Sequence, residues 1–191
     1  MEMIRGYALS IWHTLDPVYY LFTRLTYLGM NEDSSDCVFR VRLTRYKGRT
    51  VILKDGTEIK KNDLLVKIHL HNVKLIKDLH HIDNDFKKVV CLFQKIKTSL
   101  PHVAKYLEKH KDCNEIKGIV GITLLERGCQ KLGFEPFIIQ NKWYRIFKLS
   151  SLIPIAILSS NKEKQFFTLK PHYLMMSKTQ LFNRYQSNIN K

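Results

Sequence analysis

Leu64-Leu65-Val66-Lys67-Ile68-His69-Leu70-His71-Asn72 is the stretch whose reading decides the fold. Val66, Ile68 and Leu70 share one parity, and Lys67, His69 and His71 share the other. A period of two sends these sets to opposite faces of a sheet, so the stretch predicts a strand with one apolar and one cationic face. The residues before it fit the same pattern. Cys37, Phe39, Val41 and Leu43 alternate with Val38, Arg40, Arg42 and Thr44, which predicts a half-buried strand with its arginines outward. Val51–Leu53 is a short strand, Asp55-Gly56 is a hairpin signal, and Glu58-Ile59 returns toward a turn at Lys60–Asp63. Residues 37–72 therefore predict a meander of short antiparallel strands.

Helical periodicity lies on both sides. Residues 7–28 predict a helix, interrupted at Asp16-Pro17. Asn72 caps a short helix through His80, and Asp83 or Asn84 starts a longer one. Phe86, Val89, Val90, Phe93 and Ile96 form one apolar stripe, which Val103, Ala104 and Leu107 continue beyond an expected break at Pro101. Ile116–Thr123, a short helix over Leu124–Leu132 ending at Gly133, and Phe134–Ile139 read as a βαβ-like unit, about 116–139. If its two strands are neighbours they are parallel. Trp143–Leu158 predicts a mostly buried helix kinked at Pro154, and Phe167–Met176 an extended segment. Ser177-Lys178-Thr179-Gln180 is a capping pattern that opens a last helix through Tyr185. The fold class is α+β: a small antiparallel meander, a βαβ-like unit and several packing helices. A single domain over 1–185 with a frayed tail at 186–191 suits a chain of 191 residues.

Composition bounds the function. The chain carries 32 Lys and Arg against 17 Asp and Glu, a formal charge of +15, and such a field attracts polyanions. Arg40, Arg42 and Lys67 are the candidate polyanion-binding residues, which makes a basic module for nucleic acid or an anionic membrane surface one reading. Cys37, Cys91, Cys113 and Cys129 contain no C-x-x-C pair, which points to free thiols in a reducing cytoplasm rather than a zinc ribbon. The N-terminus has no signal-peptide pattern, and the apolar run Leu149–Leu158 is too short to span a bilayer. The expected location is cytoplasmic, with peripheral contact to the membrane left open. His69 and His71, with His80 or His81 as a third ligand, have the spacing for a metal, but the spacing alone is weak evidence and solvated or hydrogen-bonded histidines are the favoured reading. No metal and no cofactor is expected. His69, Asn72, Thr123 and Arg127 are the candidate ligand-binding residues. The last two fall where a strand leads into a helix, a place at which α/β sheets hold ligands. An enzyme would need these four to converge, yet no phosphate loop, nucleophile elbow, H-E-x-x-H or paired-Asp motif is present.

Several blocks together resemble a known family. Val41–Gly48, Leu53-Lys54-Asp55-Gly56-Thr57, Asp63 through His69-Leu70-His71-Asn72, Gly121–Gly128 with Leu132-Gly133-Phe134, and Met176–Leu181 to Arg184-Tyr185 are similar to the YkoP-like domain of Bacillus and related Firmicutes. The resemblance covers about residues 4–185. That domain occurs alone and attached to polysaccharide deacetylases. The resemblance implies an accessory protein of cell-envelope polysaccharide metabolism, with an envelope polysaccharide or a deacetylase as partner. It implies no deacetylase activity, because the paired Asp and H-x-x-x-H metal motif of those catalytic domains is absent. Lys67 stands where many relatives are expected to be acidic, and Asn62 where they are expected to have Gly. The resemblance singles out His69 and Asn72 on the opening strand. Nothing in the sequence fixes an oligomeric state.

Overall fold

Alternating Phe39–Arg45 (β2) and Leu64–Leu70 (β5) lie side by side as an antiparallel pair, in register from Phe39 opposite Leu70 to Arg45 opposite Leu64. The pairing closes beyond the strands, where Tyr46 N–H donates to Asp63 O (2.9 Å) and Asn62 N–H to Tyr46 O (2.8 Å). Everything between is an excursion from this long hairpin. The computed structural model describes residues 25–28, 37–79, 81–82, 84–123, 128–145 and 171–186.

Within the excursion, Val51–Ile52 (β3) and Glu58–Ile59 (β4) pair as a two-stranded sheet of their own. Gly56 turns them at φ +82°, in the left-handed region that an L side chain disfavours. The return turn places Asn62 at φ +74°, and Asn tolerates this conformation better than other non-glycine residues. That is the physical reason a Gly was expected there.

The larger sheet has six strands in the order β1-β2-β5-β6-β8-β7, with Thr26–Tyr27 as β1, Ile116–Thr123 as β6, Glu135–Ile138 as β7 and His172–Ser177 as β8. β5 and β6 are parallel, so the chain must cross over between them. It does so through Asn72–Leu79 (α1) and Asp85–Lys109 (α2). The two strands of the βαβ-like unit do run parallel, since each is antiparallel to β8, but β8 lies between them. The link from β6 to β7 contains a 3-10 turn at Cys129–Leu132 that ends at Gly133, φ +93°. A Cβ on Gly118 would collide with the Met176 carbonyl oxygen, so β8 approaches β6 closely only because that residue is Gly.

Both faces of this sheet are covered. On one, Val41, Val66, Ile119 and Met176 pack with Leu100, Val103, Ala104 and Leu107 of α2 and with Leu181 and Tyr185 of the last helix, Lys178–Tyr185 (α3). On the other, Leu65, Val120 and Met175 pack with Tyr46, Leu53 and Ile59 of the folded-back hairpin. Asn84 caps α2 by accepting from Phe86 and Lys87 N–H, and Ser177 caps α3 by accepting from Gln180 N–H at 2.9 Å. Ser177 also bonds Asp55, while Glu135 accepts from Lys54 N–H at 2.9 Å, so both sides of the small hairpin's turn are pinned to the sheet.

Several expectations are corrected. Residues 7–24 of the expected first helix lie outside the described residues, and its end, Thr26–Tyr27, is a strand held by pairing with Val41 and Arg40. Pro101 does not break α2, because Leu100, Val103 and Ala104 around it are fully buried and hold the helix through the missing hydrogen bond. The start of the apolar stripe, Phe86, Val89 and Val90, is exposed rather than core. Trp143 is 83% exposed, while the rest of its expected helix after residue 145 lies outside the described residues. All four cysteines are free thiols, and only Cys37 is buried.

Candidate functional site

The register that joins β2 to β5 sets basic residues opposite one another. Arg40 faces His69 and Arg42 faces Lys67, all on the side of the sheet that carries Leu65. Like charges directly opposite on adjacent strands repel. Solvent does not relieve this block, for Arg40 is 3% and Lys67 8% exposed, with Arg42 and His69 half-buried. The expectation of outward arginines is thus corrected. The alternation was read as one dry and one wet face, but a central strand of a sheet covered on both sides has no wet face.

Burying a guanidinium or an ammonium is tolerated only with compensation. The Arg40 guanidinium lies 4.5 Å from the centre of the Tyr27 ring, a cation–π contact supplied by the register neighbour on β1. None of Arg40, Arg42, Lys67 and His69 lacks a partner. The result is a two-by-two block of basic groups on adjacent strands, held in fixed geometry in a low-dielectric setting. Positive potential there acts more strongly on an approaching anion than it does at an exposed surface.

The block sits toward the carboxyl end of the parallel pair β5 and β6. His71 follows β5 and donates its backbone N–H to Val38 O at 2.8 Å. Its Nδ1 accepts from Lys74 N–H at 3.0 Å, and its carbonyl accepts from Leu75 N–H. His71 therefore caps α1, and Asn72 is the first helical residue rather than the cap. The cap occupies Nδ1, which explains His71 without a metal. His81 is exposed, and His80 lies outside the described residues. Among the described residues no group of three or more His, Cys, Asp or Glu has a geometry that would hold a metal ion.

Of the four candidate ligand residues, His69, Asn72 and Thr123 come to the same end of the sheet. Continuing the pairing of Lys67 with Val120 sets His69 beside Ile122 and Leu70 beside Thr123. Gly121 accordingly meets Ile68, as a Cβ there would lie 3.4 Å from Ile68 Cγ1. His69 and Thr123 thus point to opposite faces and do not form one pocket with each other. Arg127 lies outside the described residues.

Sequence reasoning missed His172, which pairs with Thr123 across β6 and β8 and shares its face. Its Nδ1 is buried without a hydrogen-bond partner among the described residues, as is Gln180 Oε1. His172 has no motif around it, and only the register of β8 finds it, whereas Gln180 belongs to the capping pattern that opens the last helix. A second group missed is the trio Tyr46, Tyr144 and Tyr173. The Tyr46 and Tyr173 rings meet edge to face at 6.0 Å, and Tyr144 stacks on Tyr173 at 6.5 Å. Burial, reinforced by the neighbouring tyrosines, pushes the Tyr173 phenol well above its ordinary range, so it stays protonated.

Fold and site together define an α+β protein with a mixed six-stranded sheet and a buried basic block on one face. A family model described as the YkoP domain matches residues 5–185, and the chain belongs to that family. It is 45% identical over 178 residues to "Uncharacterized protein YkoP" of Bacillus subtilis (strain 168), an alignment that spans 93% of this chain and 96% of that relative. No solved structure matches the chain. Among the described residues no helix is long and apolar enough to cross a membrane.

Proposed function

We propose that the chain is a non-catalytic accessory protein of cell-envelope polysaccharide metabolism, acting in the cytoplasm, and that its basic block receives one anionic group of an envelope polymer or its precursor. The observation that carries the binding part is the pairing of Arg42 with Lys67 and of Arg40 with His69 on a buried face. Apolar residues of similar volume would fill such a place at lower cost in desolvation. Guanidinium groups in fixed geometry suit a carboxylate or a phosphate, which accept two parallel N–H bonds. An incoming anion exchanges with the partners these groups already have. The envelope part rests on the family resemblance.

Burial also sets the scale of the ligand. A duplex lying across the sheet would not reach Arg40 or Lys67, which are 3% and 8% exposed, so the ligand of this proposal is a single carboxylate or phosphate. A thermal-shift panel with the full chain tests the reading. N-acetylmuramic acid or inorganic phosphate, at concentrations well above saturation, should raise the melting temperature. An excess of about 100-fold over Kd corresponds to about 2.7 kcal/mol. Neutral N-acetylglucosamine should leave it unchanged. No shift with any anion, or equal shifts with the neutral sugar, would remove the basis of the proposal.

A further inference from the structure

The stripe of α2 that faces the core does not stop where the sheet stops. Leu100, Val103, Ala104 and Leu107 are fully buried, and Phe93 and Ile96 pack at the edge of the same core. One and two turns nearer the N-terminus, on the same face by helical spacing, Phe86 is 75%, Val89 60% and Val90 43% exposed. Scattered apolar residues on a surface need no explanation, but an aromatic and two β-branched residues contiguous on one overhanging helix face form a patch.

The charge around this patch is mostly of one sign. Asp85 opens the helix beside Phe86, and from there to Leu107 the helix carries Lys87, Lys88, Lys95, Lys97 and Lys105 and no further acidic residue. Lys95 is committed to Asp78 of α1 at 2.8 Å, which braces α2 against α1. Lys87 and Lys97 are exposed, and helical spacing places Lys97 in line with Phe86 and Phe93. An exposed aromatic on a rigid helix, with lysines beside it, matches a bilayer interface. The ring and branched side chains enter the acyl boundary while the ammonium groups meet anionic headgroups. The patch is too small for a stable dimer, which needs roughly 800 Å² from each partner, whereas interfacial docking needs only a few inserted side chains.

We propose that the N-terminal part of α2, centred on Phe86, Val89 and Val90 with Lys87 beside them and Lys97 about three turns further along the same face, docks the protein on an anionic lipid surface. The surface is separate from the basic block on the opposite side of the sheet, and the proposal does not depend on a ligand there. The test is co-sedimentation of the full chain with vesicles of equal phosphatidylglycerol and phosphatidylcholine, against phosphatidylcholine alone, at low and high salt. The protein should sediment with the anionic vesicles at low salt and not with the neutral ones. Phe86→Ser combined with Val89→Ser should lower the partition coefficient by about tenfold or more, since each buried CH₂ contributes about 0.8 kcal/mol. Lys87→Glu with Lys97→Glu leaves the apolar packing untouched and should abolish binding. Ile52→Ser, at an exposed apolar residue on β3, should change nothing. Absence of binding to anionic vesicles would overturn the proposal. So would equal binding to neutral vesicles, undiminished binding in both double variants, or self-association that the same variants abolish.

Discussion

Gly118 and Gly121 are three residues apart on β6, and the topology makes their substitution by Ala unequal. A Cβ at Gly118 would collide with the Met176 carbonyl oxygen and sit 3.0 Å from Ser177 Cα and 3.1 Å from Met176 C. All of these are backbone atoms of β8, which cannot turn aside as a side chain can. β6 and β8 must part at the Gly118–Ser177 pair, at the buried end where Ser177 also caps α3. Overpacking costs about 1–3 kcal/mol, and a weakened ladder hydrogen bond about 1 more. Gly118→Ala should therefore cost about 2–4 kcal/mol, or about 5–15 °C in Tm for a chain of this size. At Gly121 the nearest atoms are Ile68 Cγ1 at 3.4 Å and Cδ1 at 3.6 Å, ordinary contacts with a side chain. Gly121→Ala should cost less than about 1 kcal/mol, because Ala lowers the entropy of the unfolded chain relative to Gly. Urea unfolding of both variants with a common m-value measures the difference. Equal costs, or a Gly118→Ala protein within about 0.5 kcal/mol of the wild type, would refute the placement of β8 against β6.

Two further outcomes follow from named contacts. Ser177→Ala removes the cap of α3 and the bond to Asp55, and should cost about 1–2 kcal/mol by urea unfolding. The same contact shapes the acid limb of stability. Burial raises the Asp55 pKa, but hydrogen bonds from the Ser177 hydroxyl and the Thr57 N–H outweigh it and hold the carboxyl below its ordinary value. A depressed folded pKa means that this stabilisation is present above the unfolded value, near about 3.9, and is lost as pH falls through the folded one. Asp55→Asn should accordingly flatten the fall of stability below about pH 4 in acid titrations followed by circular dichroism. Pro101→Ala restores a donor inside α2, where proline is about 3 kcal/mol worse than Ala, and should raise stability by about 1 kcal/mol or more. A loss of stability instead would mean that the helix depends on the ring's packing.

Local chemistry was legible in the sequence wherever a short motif carries its own geometry. Asn84 and Ser177 cap the helices they were expected to cap, and Asp55-Gly56 turns the small hairpin. What the sequence hid depends on partners far along the chain. The alternation of Leu64–Leu70 was plain, but the fold-back of residues 47–61 over its cationic side was not, so Lys67 read as exposed when it is buried. The same ambiguity misled the reading of Phe86, since a 3.6-residue period marks a face and does not say whether the sheet extends far enough to cover it. His71 caps α1 through an imidazole nitrogen, a role that capping preferences assign to Ser, Thr, Asp and Asn. The position of β8 between β6 and β7 is set by backbone pairing alone, and so is the burial of the His172 Nδ1. Of the candidate site, the basic parity of β2 and β5 was visible. That Arg40 meets His69 and Arg42 meets Lys67 came only from the register.

The most direct test of the basic block is calorimetric titration of inorganic phosphate and N-acetylmuramic acid into the wild-type chain and into Lys67→Met. Met preserves the volume of Lys67 and removes its charge and its donors, at a cost in stability from the partner left behind, so circular dichroism first checks that the variant is folded at the titration temperature. The account predicts saturable binding of at least one anion to the wild type, weakened about tenfold or more in Lys67→Met, the loss of one charge-assisted hydrogen bond of roughly 1.5–3 kcal/mol. Equal affinities in the two proteins would contradict it, as would heats that never saturate in the wild type.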